Sequence, residues 1–183
     1  MWIDTETTGL DHSKHDIITM SILIEIDGEI IDSLDLKIRP TNFDSISAEA
    51  LAVNGFTIDD LKQFPPIEQA HKKLIKLFSK YVDRYNKFDK FQPAGYNVGF
   101  DMNFLAELFK KVGDKYFGSW IDYHKLDVAS ILQFLTLKGI LRLDSYRLVN
   151  VAKHFGIEID AHNAKSDILA TRQVCYKLME FIK

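Results

Sequence analysis

Five side chains that could do chemistry stand in three widely separated blocks of this chain. They are Asp4 and Glu6 near the start, Asp101 in the middle, and His162 and Asp167 near the end. Carboxylates gathered within a few ångströms repel one another and cannot all stay ionised without a counter-ion. Hard oxygen ligands of this kind suit Mg²⁺ or Mn²⁺. If the blocks converge in space, they therefore predict a site for divalent cations.

The spacing within each block limits how its side chains can meet. Asp4 and Glu6 are two residues apart, which on a β-strand places both side chains on one face. His162 and Asp167 would lie about 140° apart on a single helix and could not converge there. They can converge if His162 lies in a loop and Asp167 lies in the first turns of the helix that follows.

Each block taken alone has an ordinary structural explanation. An acidic strand end before a turn would account for Asp4 and Glu6. Asp101 follows a predicted buried strand, where aspartate is a good helix N-cap, although open α/β sheets also place their sites at that end of a strand. His162 alone is typical of a surface loop. Only the combination of the three blocks favours a shared site.

The elements that must position these residues alternate between strand and helix patterns. We predict strands at 1–4, 17–26, 30–38, 92–96 and 121–127, and helical segments within 42–63, 67–82, 104–112, 128–137, 144–155 and 163–182. Asp27-Gly28 is typical of a type I′ hairpin turn. This order predicts an α/β fold in which a mixed sheet is flanked by helices. The length predicts one domain spanning 1–183.

Composition narrows the class of protein. Hydrophobic residues make up 46% and charged residues 27% of the chain, which is ordinary for a globular protein. The net charge of −3 is unusual for a passive nucleic-acid binder, but it becomes +1 without the four carboxylates named above. The single cysteine, Cys175, excludes an internal disulfide and favours a cytoplasmic location. We expect no signal peptide and no membrane association.

Together the three blocks resemble the three sequence motifs of the DEDDh (DnaQ-like) 3′→5′ exonucleases, a family that includes the proofreading subunit of bacterial DNA polymerase III. The matching segments are Asp4-Thr5-Glu6-Thr7-Thr8-Gly9-Leu10, Asn97-Val98-Gly99-Phe100-Asp101 and His162-x-Ala164-x-x-Asp167. The motifs stand in the family's order and the likeness covers essentially the whole chain. His162 selects the histidine branch of the superfamily.

The resemblance implies a ribonuclease H-like fold and hydrolysis of phosphodiester bonds at a 3′ end, with release of nucleoside 5′-monophosphates. It implies two divalent cations, Mg²⁺ or Mn²⁺, of which one activates the attacking water and the other stabilises the leaving oxygen. By analogy, Asp4 would bridge both cations. Glu6 and Asp167 would complete the first, Asp101 would serve the second, and His162 would be the general base.

The resemblance also implies contacts with the substrate. Leu10 matches the position that wedges against the terminal base, and the backbone amides of Thr7 and Thr8 would hold the 3′ end. Asn97 and Phe100 match residues that line the substrate pocket. Unpaired bases stack on such apolar and aromatic side chains with little sequence preference. A role in the core remains the alternative for Leu10 and Phe100.

The chain departs from the family pattern in three ways. Only three residues precede Asp4, so we expect either a short first strand or a start upstream of Met1. Asn54 stands where many relatives have histidine. The chain ends with the last helix of the nuclease core, without the polymerase-binding tail of proofreading subunits. We therefore expect a free-standing nuclease, or one that docks on a DNA polymerase by another surface.

The substrate prediction is single-stranded 3′ ends, with DNA favoured over RNA. The alternative is an exoribonuclease of the oligoribonuclease or RNase T type, which recognition of a 2′-hydroxyl would decide. A non-catalytic binding module is a third interpretation. The complete set of five residues argues against it, because an idle copy would have no chemical need for all of them.

Overall fold

The computed structural model describes residues 1–182 and contains one five-stranded sheet. The strands are β1 (Trp2–Thr7), β2 (Ile17–Ile26), β3 (Glu29–Lys37), β4 (Ala94–Gly95) and β5 (Leu126–Asp127). They lie in the order β3-β2-β1-β4-β5. The pairs β1–β2 and β2–β3 are antiparallel, whereas β1–β4 and β4–β5 are parallel. The predicted mixed sheet is therefore confirmed.

Helices cover both faces of this sheet. They are α1 (Ala48–Asn54), α2 (Ile58–Gln63), α3 (Ile67–Phe78), α4 (Gly99–Lys111), α5 (Phe117–Trp120), α6 (Val128–Leu137), α7 (Leu148–His154) and α8 (Ala164–Met179). Ile3 of β1 belongs to the core cluster shared with α3 and α4, whereas Trp2 belongs to the cluster shared with α6, α7 and α8. The alternation of side chains along β1 thus serves two separate cores.

Several boundaries agree with the sequence patterns. β2 and α6 begin and end at the predicted residues. Asp27 and Gly28 both have positive φ, at 53° and 83°, as a type I′ turn requires. Glycine reaches this region without strain, and Asp is one of the few other residues that tolerates it.

Other boundaries differ from the prediction. β1 extends to Thr7, because Glu6 still pairs with Thr19 of β2 before the register shifts. β4 is only two residues long, and Pro93 before it has no amide to donate to a neighbouring strand. Because β1 extends to Thr7, Glu6 lies within the strand and not in the turn after it.

Several helical predictions needed correction. α4 begins at Gly99 rather than at 104, and α8 ends at Met179 rather than at 182. α3 ends at Phe78, and residues up to Val82 continue as successive turns that bond back to Ile75, Leu77 and Phe78. α7 begins at Leu148 with Arg147 as N-cap, so residues 144 and 145 do not cap it. The short helix α5 was not predicted. Within residues 1–182, no helix is both long enough and apolar enough to cross a bilayer.

Candidate active site

β1 presents Asp4 and Glu6 toward α8. Both side chains alternate with the buried residues Ile3 and Thr5 and are partly exposed. Both lie on the same face of the strand as Trp2, which packs in the core cluster beneath α8. The predicted placement of the two carboxylates on one strand face is therefore confirmed, and the face is the one that α8 covers.

Asp101 is brought to β1 by a hydrogen bond between side chains. It is the third residue of α4, just beyond β4, and its side chain is only 4% exposed. Thr5 Oγ1 donates to Asp101 Oδ1 over 2.7 Å. Val98, not Asp101, is the N-cap of α4. The N-cap explanation for Asp101 is therefore wrong, and the carboxylate is held next to the strand that carries Asp4.

His162 and Asp167 lie on either side of the start of α8, as their spacing predicted. Asn163 is the N-cap of the helix, His162 precedes it in the loop, and Asp167 lies in the first turn. The amide of His162 donates to Asp167 Oδ2 over 3.1 Å. His162 has a φ of 65°, a region that few residues other than glycine adopt. The loop is thus held in a strained conformation that places the imidazole beside the carboxylate.

Three of the five predicted residues form a tight group. Ligand atoms of Glu6, His162 and Asp167 all lie within 4.8 Å of one another. Asp4 and Asp101 are not part of that group, although their charges act on it. The structure thus brings all five residues to one rim of the sheet, with Glu6, His162 and Asp167 at the centre.

Burial and mutual repulsion keep protons on the carboxylates of β1. Burial raises the pKa of Glu6 to about 7, and the charges of Asp167 and Asp101 act in the same direction. Burial raises the pKa of Asp4 well above its ordinary value, and the charges of the three other carboxylates raise it further. Without a counter-ion, this face of the strand therefore resists full ionisation.

The two acids contributed by helices behave similarly. Burial raises the pKa of Asp101 to about 7 despite the hydrogen bond from Thr5, and the charge of Asp127 adds to the rise. Burial also raises the pKa of Asp167, against the opposing hydrogen bond from the amide of His162. Four acids in one place with raised pKa values are typical of a functional site.

The donor set fits a divalent cation. Oδ1 of Asp167 is buried, and no group of residues 1–182 lies within hydrogen-bonding distance of it. A buried acceptor without a partner costs free energy, and a cation would supply the missing interaction. The carboxylate oxygens around it are the ligands that Mg²⁺ and Mn²⁺ prefer.

The turn after β1 carries three of the predicted substrate contacts. Leu10 is 86% exposed, so the alternative that it belongs to the core is wrong. The hydroxyl of Thr7 donates to the carbonyl of Gly9. The amide of Thr8 donates to the carbonyl of Asp16 over 2.8 Å. That amide therefore stabilises the turn, which corrects the prediction that it faces the substrate.

Asn97 and Phe100 lie at the other side of the rim. Asn97 has a φ of 55°, and its amide donates to Asp127 Oδ1 over 3.0 Å. Phe100 is partly buried, and its ring centroid lies 4.7 Å from that of Phe104. The core alternative is thus partly right for Phe100, whose exposed portion remains available to a ligand.

Sequence reasoning missed several supporting residues. Thr5 positions Asp101, and Asp127 holds the backbone of Asn97. Asn54 Nδ2 donates to the carbonyl of Thr7 over 2.9 Å, which links the end of α1 to the turn after β1. Because Thr5 stands between Asp4 and Glu6 in the sequence, its position could have indicated a supporting role at the site. The roles of Asn54 and Asp127 depend on contacts between distant residues, for which the sequence carries no local signal.

Two open clefts lie on opposite sides of His162. One, of about 620 Å³, runs across β2 and β3 past Asn54 and Phe56. The other, of about 520 Å³, contains both His162 and Asp167 and extends to Asn97. Volumes of this size accommodate small ligands or single nucleotides.

Comparison with known proteins identifies the family. The family model described as exonuclease (RNase_T) matches residues 1–175. The chain belongs to this exonuclease family. It is an exonuclease domain of the DnaQ and RNase T type, as its three motifs predicted, and therefore an enzyme that acts on nucleic acid.

Curated relatives of this exonuclease are much longer proteins. A DNA polymerase III PolC-type of Thermotoga petrophila is 27% identical over 182 residues, which is 99% of this chain and 12% of that protein. The PolC-type protein of Listeria welshimeri is 29% identical over 181 residues, covering 98% of this chain and 11% of that one. The exonuclease thus spans about one eighth of these relatives or less.

Solved structures show the same fold. A zinc-bound complex of E. coli ExoI with single-stranded DNA superposes with a TM-score of 0.80 at 18% identity, covering all of this chain and 40% of that one. An ExoI complex with a dT13 oligonucleotide gives 0.76 at 20% identity, covering 97% and 40%. The likeness confirms the predicted ribonuclease H-like fold.

Proposed function

We propose that this exonuclease removes nucleotides from the 3′ end of single-stranded DNA and releases nucleoside 5′-monophosphates. The observation that carries the proposal is the convergence of Glu6, His162 and Asp167 within 4.8 Å, beside the partly exposed Asp4 and the buried Asp101. Carboxylates that hold cations next to an imidazole are suited to activating water against a phosphodiester.

Asp4, Glu6, Asp101 and Asp167 would hold two divalent cations, Mg²⁺ or Mn²⁺. When bound, such ions supply an activated water and neutralise the charge that develops on the leaving 3′ oxygen. The raised pKa values of Glu6 and Asp101 mean that these acids give up protons as they bind cations. The buried Oδ1 of Asp167 is the acceptor most in need of such a partner.

His162 would act as the general base. Its side chain is exposed at the rim, while its backbone is fixed by the hydrogen bond to Asp167. An imidazole in that position can take the proton of the attacking water and pass it to solvent. Leu10, exposed on the turn after β1, would wedge against the terminal base, and Asn97 and Phe100 would contact the substrate.

The preference for DNA rests on the relatives. Those matched by sequence are named DNA polymerases, and the matched ExoI structures include complexes with single-stranded DNA. A polymerase partner, or a polymerase joined to this domain, follows as part of the same proposal. An exoribonuclease remains the second candidate, because no contact in the site distinguishes a 2′-hydroxyl from hydrogen.

The decisive experiment uses a 5′-labelled single-stranded oligonucleotide with Mg²⁺ or Mn²⁺. We expect a ladder that shortens from the 3′ end, with release of 5′-monophosphates, and no reaction in excess EDTA. Parallel digestion of matched DNA and RNA oligomers measures the preference between them. Full activity in EDTA, or shortening from the 5′ end, would contradict the proposal.

A pair of histidine variants tests the proposed base. His162→Ala should lower kcat by about 10²–10⁴-fold while the thermal unfolding temperature stays near that of the wild type. His124→Ala is the matched control, because His124 is exposed and pairs only with Asp122 away from the rim. Equal losses in both variants would remove His162 from the reaction.

A further inference from the structure

The cleft between α7 and the rim of the sheet extends beyond the five catalytic residues. His162 and Asp167 form one wall of this cleft, Asn97 follows β4, and Tyr146 and Arg147 precede α7. Its volume of about 520 Å³ is in the range of ligand sites. Because the cleft is continuous with the reacting centre, a strand whose 3′ end lies at Glu6 and His162 can continue into it.

The walls of this cleft are held in place before any ligand arrives. The hydroxyl of Tyr96 donates to the carbonyl of Tyr146 and so joins the end of β4 to the start of α7. The hydroxyl of Tyr146 donates to Thr136 Oγ1 over 3.0 Å. The amide of Asn97 donates to Asp127. A preformed wall lowers the entropy cost of binding.

Arg147 is the one lysine or arginine among the residues that line this cleft. Its side chain is exposed, and in the part of the chain that the structure describes it forms no salt bridge. Lys165, also close to the rim, is paired with Asp35 over 2.6 Å, and Lys111 is paired with Asp16. The guanidinium of Arg147 therefore has free donors, and Arg147 lines the same cleft as His162 and Asp167.

A phosphate is the group that this arrangement can bind. The four acids next to the reacting centre repel the phosphates of the strand wherever bound cations do not neutralise them, and a nearby guanidinium offsets that repulsion. A guanidinium binds phosphate through two parallel hydrogen bonds, which a lysine cannot reproduce. The exposed ring of Tyr146 lies next to it and can stack on an unpaired base.

We propose that Arg147 is a positioning residue that binds the phosphate on the 5′ side of the penultimate nucleotide, with Tyr146 stacking on the base of that nucleotide. The proposal rests on the proposed 3′→5′ exonuclease function and deepens it. The contact holds the strand so that the scissile phosphate stays at Glu6, His162 and Asp167. It makes the second phosphate from the 3′ end a determinant of affinity.

The first test measures binding without cleavage. A labelled single-stranded DNA oligonucleotide is titrated with the wild type and with Arg147→Gln in EDTA at several salt concentrations. Loss of one phosphate contact should weaken binding and reduce the slope of log K against log salt by about 0.7. Arg142→Gln is the matched control, because Arg142 is also exposed but does not line the cleft. An unchanged slope in Arg147→Gln would overturn the proposal.

The second test compares a dinucleotide carrying a 5′-phosphate with the same dinucleotide lacking it. In the wild type and in Arg142→Gln, the 5′-phosphate should raise kcat/KM about tenfold, mainly through KM. In Arg147→Gln the ratio should fall to about one, and Arg147→Lys should restore part of it. A ratio that stays the same in Arg147→Gln contradicts the proposal.

The two experiments separate this inference from the proposed function. If the wild type cleaves no substrate, the exonuclease proposal fails, while the salt dependence in EDTA still reports whether Arg147 contacts a phosphate. If cleavage proceeds normally but Arg147→Gln matches the wild type in both measurements, the inference about Arg147 fails alone.

Discussion

At the scale of single residues, the site depends on contacts that restrict its functional groups. The φ of 65° at His162 and the buried Oδ1 of Asp167 are both unfavourable by themselves. They persist because the surrounding loop and α8 hold them, and they place an imidazole and an unpaired oxygen where a cation and water can use them. Asn54 is not one of the five residues of the site, but it stabilises the turn after β1 through its hydrogen bond to the Thr7 carbonyl.

Replacing Asn54 should loosen the turn after β1. Asn54→Ala removes the 2.9 Å hydrogen bond to the Thr7 carbonyl and should cost about 1 kcal/mol in the free energy of unfolding. Asn54→Asp places a carboxylate against that carbonyl and should cost more. Urea unfolding measures the first effect, and kcat/KM for an oligonucleotide should fall several-fold. Wild-type values for Asn54→Ala would show that the bond does not matter.

Cation binding should release protons. Glu6 and Asp101 have pKa values of about 7, so near pH 6 both are largely protonated without metal. Calorimetric titration of Mn²⁺ at about pH 6, in buffers of different ionisation enthalpy, should detect one or more released protons, and fewer at about pH 9. Glu6→Gln should release fewer. The same proton release at both values would contradict the pKa assignment.

At the scale of elements, α4 is anchored to the β1–β2 region at both ends. Its first turn carries Asp101, which Thr5 of β1 holds. Its last turn carries Lys111, whose Nζ lies 2.6 Å from Asp16. Asp16 also accepts a hydrogen bond from the amide of Thr41, so one buried carboxylate joins α4 to the loop after β3. Movement of α4 would therefore displace Asp101, one of the acids that we propose to be catalytic.

Removing that carboxylate should destabilise the protein. Asp16→Ala leaves Lys111 with the carbonyl of His15 but without its anionic partner, and leaves the amide of Thr41 without its acceptor. The change should cost about 3 kcal/mol in unfolding free energy. Asp59→Ala is the control, because Asp59 pairs with Lys62 at the surface and should change stability by less than about 0.5 kcal/mol. Denaturant unfolding compares the two. Equal stabilities would show that the ion pair does not anchor α4.

At the scale of the whole molecule, the antiparallel half and the parallel half of the sheet meet at β1. β1 therefore lies at the centre, with one core on each face. Acids from β1, α4 and α8 collect at its end and destabilise the fold when ionised. The packing of the two cores offsets the unfavourable free energy of holding these charges together.

The repulsion between these acids predicts how the stability of the metal-free protein changes with pH. Glu6 and Asp101 have folded-state pKa values raised to about 7 from 4.5 and 3.8, so the folded state binds more protons than the unfolded state between those values. The stability that these two groups contribute to the folded state is fully present below about pH 4 and is lost as the pH rises through about 7.

In EDTA, the unfolding temperature should therefore fall between about pH 5 and pH 7.5. Mn²⁺ or Mg²⁺ should reverse the fall. Asp32 and Asp60, whose pKa values are lowered, titrate below this window. Burial lowers the pKa of the Met1 amino group to about 6, which opposes the fall within the window, so the comparison with Glu6→Gln isolates the effect of the acid. Thermal melts of the wild type and of Glu6→Gln measure the effect. A melting temperature that rises over this window would contradict it.

The sequence alone determined the elements whose signals are local. β2, α6 and the Asp27-Gly28 turn could be placed to the residue, because side-chain periodicity and turn chemistry act within a few neighbours. The order of the three motifs was enough to indicate the family and the five residues His162, Asp4, Glu6, Asp101 and Asp167. Asp-x-Glu on a strand implied a shared face without any knowledge of the fold.

Only the tertiary structure decided the remaining features. The two-residue length of β4, the bond from Thr5 to Asp101 and the cleft that Arg147 lines together with His162 all depend on residues far apart in the chain. Periodicity cannot report such contacts, because it describes which face a residue occupies but not which distant group meets it. The raised pKa values follow for the same reason, since burial and repulsion exist only once three elements converge.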